Sequence, residues 1–159
     1  MQIYLLRHGI AEDGGPGRPD SERALTSEGR EKLRQVLRRA HQADVNPSLI
    51  LASPYRRAME TAEVCVDVLQ YEGKVVNTRA LVPEASPFDT WAEIRKRAGE
   101  RSILLASHEP LMSSLAAFLL ASPGLIVDMK KAALIRIDCD SAGPQPHGVL
   151  KWMLTPAVS

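Results

Sequence analysis

Three short apolar runs, each followed directly by polar residues, constrain most strongly what this chain can fold into. The runs are residues 3–6, 49–52 and 103–106. Short apolar runs bounded by turn residues are typical of strands buried on both faces of a parallel sheet. The polar residues of interest that follow them are Arg7, His8, Arg57 and His108. Parallel strands place their carboxyl ends at one edge of the sheet, where ligands bind in open sheets, so these side chains should share one rim. Two guanidinium groups and two imidazoles together favour an anionic substrate, and phosphate is the first candidate.

The alternation of strands and helices predicts one α/β domain over residues 1–159. A chain of this length with 45% hydrophobic and 25% charged residues is typical of a globular domain with a sizeable core. The predicted fold is a three-layer α/β/α sandwich with a mostly parallel central sheet. Two late strands, expected over residues 132–138 and 149–154 and joined by a Gly/Pro turn at 141–148, predict an antiparallel hairpin at one edge.

Charge and cysteine usage limit the partners that the chain can have. The net charge of +1 gives no reason to expect binding to nucleic acid or to an anionic membrane. The apolar runs are too short for a signal peptide or a membrane span. Cys65 and Cys139 lack metal-ligand spacing and are expected to be free thiols in the core. We therefore expect a cytoplasmic protein, most simply a monomer.

Local signals place the helices between these strands. Thr26 is expected to cap a helix with an amphipathic pattern, which Asn46 and Pro47 should end. The buried stripe of that helix is predicted to be Leu33, Val36, Leu37 and Ala40. Ser53 followed by Pro54 predicts the next helix start, a capping hydroxyl and then a proline at the first helical position.

That helix start places two arginines where they could bind phosphate. Arg57 is predicted at the beginning of the second turn, and Arg56, about 100° round the helix, is expected to be more exposed. Arginine offers paired donors to phosphate oxygens, and Arg7 could do so from the other side. From the residues alone, a solvated helix surface is the alternative for both helix arginines.

His8 is a candidate nucleophile because it directly follows the first strand. A histidine can attack phosphorus through one ring nitrogen when the other is held protonated by an acceptor such as a backbone carbonyl. Gly9 permits the tight turn that this needs. His108 could bind the phosphoryl group as an imidazolium, although either histidine could instead be a hydrogen-bonded structural residue. The other histidines, His41 and His147, are expected at the surface.

Three ordered motifs resemble those of the histidine phosphatase superfamily, also called the phosphoglycerate mutase-like family. The motifs are Arg7-His8-Gly9, residues 53–62 and residues 107–110. The resemblance implies that His8 becomes phosphorylated and that Arg7 and Arg57 clamp the phosphate. It also implies that His108 completes the pocket. The S-P-x-x-R-A-x-x-T pattern selects Arg57 over Arg56, and neither a metal nor a cofactor is implied.

Within that superfamily the chain most resembles the small SixA-type phosphohistidine phosphatases, over nearly its full length. The supporting features are the short chain and residues 20–29, 131–133 and 152–156. The departures are small: Glu60 stands where many members have Gln, and Glu109 follows the second histidine. Arg23, by the same resemblance, either borders the pocket or is only a surface salt-bridge partner.

Glu84 is the candidate general acid. Larger family members carry a Glu or Asp in the loop after the third strand that protonates the leaving oxygen, whereas SixA-type members lack a clear equivalent. An alcohol leaves as a strongly basic alkoxide (water, as a proxy, has a pKa of about 15.7), but imidazole leaves as a weak base with a conjugate acid pKa of about 6.5. We therefore expect Glu84→Gln to leave phosphohistidine turnover nearly intact.

The resemblance implies a metal-independent phosphatase that acts on a phosphohistidine-bearing signalling or phosphocarrier protein. The chain has no insertion long enough for a separate cap, so an open rim is expected that would also admit small molecules. A small phosphate ester is therefore the alternative substrate. A phosphate- or phosphoprotein-binding module without turnover is the alternative of another class, against which the four intact site residues count.

Overall fold

The computed structural model describes residues 1–140 and 142–157, which form an α/β fold. The strands are β1 (Gln2–Arg7), β2 (Leu49–Ala52), β3 (Val75–Asn77), β4 (Ser102–Ser107), β5 (Leu134–Cys139) and β6 (Gly148–Leu154). The helices are α1 (Ser27–Gln42), α2 (Arg56–Val68), α3 (Pro87–Arg95) and α4 (Leu111–Leu119). Two one-turn 3-10 helices lie at Asp20–Glu22 and Arg79–Leu81.

Within the described residues, six strands form one sheet in the order β3-β2-β4-β1-β5-β6. Strands β1, β2, β3 and β4 pair in parallel, with Ile3 of β1 and Leu49 of β2 both opposite Ile103 of β4. Strand β5 is antiparallel to β1, and β6 is antiparallel to β5. This confirms a mostly parallel sheet with an antiparallel hairpin at one edge. The first residue of the predicted hairpin turn, Ser141, lies outside the described residues.

Two hydrophobic clusters cover the two faces of the sheet. Ile3 and Leu5 of β1 belong to the cluster that contains α3 and α4, whereas Tyr4 and Leu6 belong to the cluster that contains α1 and α2. Successive side chains of a strand point to opposite faces, so a strand covered by helices on both sides must be apolar throughout. This explains the continuous apolar runs and confirms the predicted three-layer sandwich.

Helix α1 begins as the sequence predicts and ends earlier. The Thr26 hydroxyl accepts a hydrogen bond from the N–H of Gly29 at 2.9 Å, which caps the helix. The predicted stripe, Leu33, Val36, Leu37 and Ala40, is fully buried. The helix ends at Gln42, before the proline that was expected to break it, because the chain reverses through Asp44 at a positive φ of 62°.

The predicted start of α2 is wrong. The helix begins at Arg56, and its N-cap residue is Tyr55, with an extended backbone. Ser53 does not cap it, because the Ser53 hydroxyl is buried and hydrogen-bonded to Nε2 of His108 at 2.8 Å. Arg57 is therefore the second residue of the helix and does not lie in its second turn.

Three further observations concern the loop after β1, the cysteines and the length of the helices. The Gly/Pro-rich loop after β1 ends in the one-turn helix Asp20–Glu22. Cys65 and Cys139 are free and buried, as predicted. Among the described residues, no helix has the length and apolar character that crossing a membrane requires.

We expect Gly29→Ala to destabilise the fold, because a Cβ at Gly29 would overlap the carbonyl oxygen of Ile10 after β1. Overpacking should lower the free energy of unfolding by about 2 kcal/mol, despite the higher helix propensity of alanine. At about 2–4 °C per kcal/mol, calorimetry should show a fall in Tm of several degrees. The control is Gly99→Ala, where a Cβ meets open space, and an equal Tm for the two variants would contradict the packing argument.

Candidate active site

The candidate site lies where three neighbouring strands end. Strands β2, β4 and β1 are adjacent in the sheet and parallel, so the residues that follow them meet at one rim. Ser53 follows β2, His108 follows β4, and His8 follows β1, while Arg57 enters from the start of α2. All four side chains are buried, at 6% exposure or less. The structure thus brings together His8, Arg57 and His108, as the sequence predicts, and adds Ser53.

The two ring nitrogens of His8 have different partners. Nδ1 lies 2.7 Å from the carbonyl oxygen of Gly9, and because a carbonyl can only accept, Nδ1 carries the proton. Nε2 accepts a hydrogen bond from Nε of Arg57 at 3.3 Å. Burial is the main reason that the pKa of His8 is lowered to about 4; the Gly9 bond opposes this, and the charges of Arg57 and Arg7 add to it. At neutral pH His8 is therefore uncharged, with its lone pair on Nε2.

Arg57 is held on its far side by Asp20. Its Nη1 donates to the backbone oxygen of Asp20 at 2.7 Å, and its Nη2 donates to the Asp20 carboxylate at 3.1 Å. An arginine has five N–H donors, so these bonds and the one to His8 leave donors for a ligand. Both terminal nitrogens reach one residue, which turns the Nε edge of the guanidinium toward His8.

Asp20 also joins Arg23 to the site. Nε of Arg23 donates to the Asp20 carboxylate at 2.9 Å, and Nη1 donates to the backbone oxygen of Glu12 at 2.9 Å. Partial burial raises the pKa of Asp20, but the hydrogen bonds and charges of Arg57 and Arg23 outweigh burial and lower it overall. Arg23 is thus a salt-bridge partner that acts on the site through Asp20. The sequence analysis included Asp20 only as part of a motif and gave it no role.

His108 is positioned by Ser53. The N–H of Tyr55 donates to the Ser53 hydroxyl at 3.2 Å, and we assign the hydroxyl proton to the bond with Nε2 of His108 at 2.8 Å. The ring proton of His108 then lies on Nδ1, which is buried and has no hydrogen-bond partner among the described residues. This assignment leaves the Nδ1–H of His108 without a partner in the described part of the chain, and the ring lies 5.2 Å from that of His8 between centroids.

The structure favours a neutral His108 over the imidazolium expected from the sequence. Burial, followed by the neighbouring His8 and Arg57, lowers the pKa of His108 to about 3. A neutral imidazole still has one N–H donor for a phosphoryl oxygen. The buried position thus supplies a hydrogen bond in place of a full positive charge.

Arg7 reaches a different part of the chain from Arg57. Its Nη1 donates to the backbone oxygen of Met129 at 2.9 Å, and its buried Nε has no partner among the described residues. Burial lowers the pKa of Arg7, although Glu109 and Asp128 oppose this. Arg7 is close enough to His8 to lower the pKa of that histidine, so it contributes positive charge at the rim.

Glu84 reaches the site only through Tyr55. The Tyr55 hydroxyl donates to the Glu84 carboxylate at 3.3 Å, and the Tyr55 ring packs edge-on against His108 at 5.0 Å between centroids. The guanidinium carbon of Arg57 lies 5.2 Å from the centre of the same ring. Glu84 makes no hydrogen bond to His8 in the described structure.

The remaining predictions concern residues outside the site. The Arg56 side chain is 58% exposed and pairs with Glu60 at 3.4 Å, whereas that of Arg57 is 5% exposed. His41 and His147 are exposed, as expected. In the part of the chain that the structure describes, no group of three or more His, Cys, Asp or Glu residues is arranged to hold a metal ion.

The arrangement suits the transfer of an anionic group to His8. The neutral Nε2 of His8 is the nucleophile. The donors around it are Arg57, Arg7 and the Nδ1–H of His108, and they match the oxygens of a phosphoryl group. The sequence analysis missed Ser53, Tyr55 and Asp20 as contributors. Their roles depend on contacts between elements distant in sequence, and only the S-P and D-x-x-R patterns marked their positions.

Comparison with known proteins agrees with this chemistry. A family model described as the histidine phosphatase superfamily (branch 1) matches residues 3–81. The chain is 28% identical to phosphohistidine phosphatase SixA of Escherichia coli, over 98% of this chain and 94% of that protein. It is 30% identical to an uncharacterized protein of Picosynechococcus sp., over 92% of this chain and 90% of the relative.

Two solved structures share the fold of this chain. The structure of the protein histidine phosphatase SixA complexed with tungstate matches with a TM-score of 0.87 and 28% identity, and the match covers 98% of this chain and 97% of that one. A mycobacterial glucosyl-3-phosphoglycerate phosphatase matches with a TM-score of 0.69 and 17% identity, over 94% and 96% of the two chains. The second likeness shows the shared fold alone.

We expect His8 to remain neutral well below the usual histidine range. Because burial lowers its pKa to about 4, the ring should keep its Nδ1 proton and free Nε2 from pH 8 down to about 5, and take up a second proton only near pH 4. NMR of the ring nitrogens against pH measures this directly. Protonation near 6.5 would contradict the burial argument.

We expect Ser53→Ala to lower kcat at least tenfold, because His108 then loses the bond that keeps its proton on Nδ1. Steady-state kinetics and the ring tautomer of His108 by NMR are the measurements. Ser107→Ala is the matched control, since it removes another buried serine hydroxyl, one that donates to the backbone of Leu81. Unchanged kcat and tautomer in Ser53→Ala would remove Ser53 from the site.

Proposed function

This chain belongs to the histidine phosphatase superfamily and is a phosphatase, and we propose that it hydrolyses phosphohistidine on another protein through a covalent intermediate on His8. The observation that carries the proposal is the neutral His8, whose Nδ1 proton is held by Gly9 while Nε2 faces Arg57. The similarity to SixA, which spans almost the whole of both chains, supports the choice of substrate.

In the first step, Nε2 of His8 attacks phosphorus in line with the bond to the substrate imidazole. The new P–N bond forms as the substrate P–N bond breaks, and the electron pair of the broken bond passes to the substrate ring nitrogen. Because the other nitrogen of that ring carries a proton, the ring leaves as neutral imidazole, a weak base. Arg57, Arg7 and the Nδ1–H of His108 would donate to the phosphoryl oxygens. The positive charge that develops on His8 is stabilised by the Gly9 carbonyl at Nδ1.

In the second step, water attacks phosphorus on phosphorylated His8. The P–N bond breaks, the electron pair returns to Nε2, the water proton passes to the phosphate, and inorganic phosphate leaves. The same side-chain donors would serve both steps, because both transfers place negative charge on the same oxygens. Since these donors supply positive charge from the protein itself, we propose that turnover needs no metal.

The position of Glu84 favours phosphohistidine over a phosphate ester. An ester requires an acid at its leaving oxygen, and here Glu84 is bonded to Tyr55 at the edge of the site. An imidazole leaving group has much less need of that acid, because it is a weak base.

Three predictions from the sequence stay predictions. They are the phosphocarrier or signalling nature of the partner, the monomeric state and the cytoplasmic location.

The proposal is tested by comparing two substrates with EDTA present. We expect a phosphotransfer domain phosphorylated on histidine to be turned over with a kcat/KM at least a hundredfold above that for p-nitrophenyl phosphate. Glu84→Gln should change the phosphohistidine rate less than threefold, whereas loss of a general acid costs about a hundredfold or more. Preference for p-nitrophenyl phosphate, together with a loss of about a hundredfold or more in the turnover of an alkyl phosphate by Glu84→Gln, would assign a small phosphomonoester as the substrate.

A further inference from the structure

A cleft of about 880 Å³ opens beside the active site, and Arg7 belongs to both. Besides Arg7, the charged residues that line it are Lys32, Lys130, Lys131 and Asp128. Four cations thus face one carboxylate, in a chain whose net charge is only +1. The lining of the cleft is therefore more positive than the chain as a whole.

The lysines of this cleft are available to a ligand. Lys130 pairs with Asp128 at 2.9 Å, but both side chains are largely exposed, at 68% and 79%. Lys32 pairs with Glu28 at 3.2 Å, again at the surface. Exposed ion pairs contribute little to stability, so a carboxylate of a partner can replace either one. Lys131 has no salt-bridge partner among the described residues.

The cleft lies beside the reacting centre. The charge of Lys131 is close enough to contribute to the lowered pKa of His8, and Arg7 lines the cleft as the last residue of β1. Lys131 lies just before β5, which pairs with β1. A protein that presents its phosphohistidine to His8 can therefore reach the cleft with a neighbouring segment.

We propose that the basic cleft holds an acidic segment of the phosphohistidine-bearing protein, next to the phosphoryl group on His8. This rests on the proposed function and deepens it, because it names the surface that the partner presents. Met153 and Pro156 also line the cleft and offer apolar contact to the side-chain stems of that segment. Four cations around one cleft do not form the long basic stripe typical of nucleic-acid binding.

The test uses three phosphohistidine peptides of equal length, flanked by glutamate, alanine or lysine. We expect kcat/KM at low salt to be at least tenfold higher for the glutamate peptide than for the alanine peptide, mainly through KM, with the lysine peptide slowest. The preference should disappear at about 0.5 M salt, where exposed charges are screened.

Charge reversal in the cleft supplies the second arm. Lys32→Glu with Lys130→Glu should abolish or invert the order of the peptides and leave the turnover of p-nitrophenyl phosphate unchanged. Lys74→Glu is the matched control, because Lys74 is exposed next to β3, at the other edge of the sheet. It should keep the wild-type order.

The two possible failures are separable. Equal rates on the three peptides in the wild type, or an unchanged preference in the double variant, would overturn the acidic-segment proposal alone. Turnover of the alanine peptide reports the proposed function independently of the cleft. Failure to hydrolyse any of the peptides or the phosphorylated phosphotransfer domain would overturn both the acidic-segment proposal and the proposed function.

Discussion

The hydrogen bond between Nδ1 of His8 and the carbonyl of Gly9 is the interaction on which the site depends. It is 2.7 Å long, and it fixes the proton on Nδ1 and the reactive lone pair on Nε2. A histidine free to exchange tautomers would present the wrong nitrogen for part of the time. Strand β1, buried on both faces, holds the preceding backbone rigid, and the close approach of Gly29 to Ile10 fixes the backbone that follows.

The rest of the site is arranged around that lone pair in a buried, strongly positive environment. Burial keeps both histidines neutral, so the lasting positive charge comes from the arginines. Asp20 balances part of this charge and orients Arg57, and Ser53 orients His108. Donors that are already in place need no reorganisation when charge develops on a phosphoryl group, which is the main advantage of a preorganised site.

Local sequence patterns predicted the sheet and its rim, whereas the choice of Arg57 over Arg56 came from the family resemblance. Apolar runs report burial on both faces, and parallel strands bring their carboxyl ends together. Local patterns failed for Ser53, which has the local signature of a helix cap but bonds to His108, 55 positions away in the chain. Asp20 was given no role for the same reason, since its partner Arg57 comes from another element. Competition between a local and a tertiary hydrogen bond is decided only by packing.

The most direct test of the covalent mechanism is to trap the enzyme during turnover. The protein is mixed with a phosphohistidine substrate, quenched in alkali within milliseconds and mapped by mass spectrometry, with NMR used to identify the modified ring nitrogen. The account predicts one acid-labile phosphoryl group, on Nε2 of His8. Full turnover without a phosphoenzyme, or a phosphoryl group on His108 in its place, would contradict it.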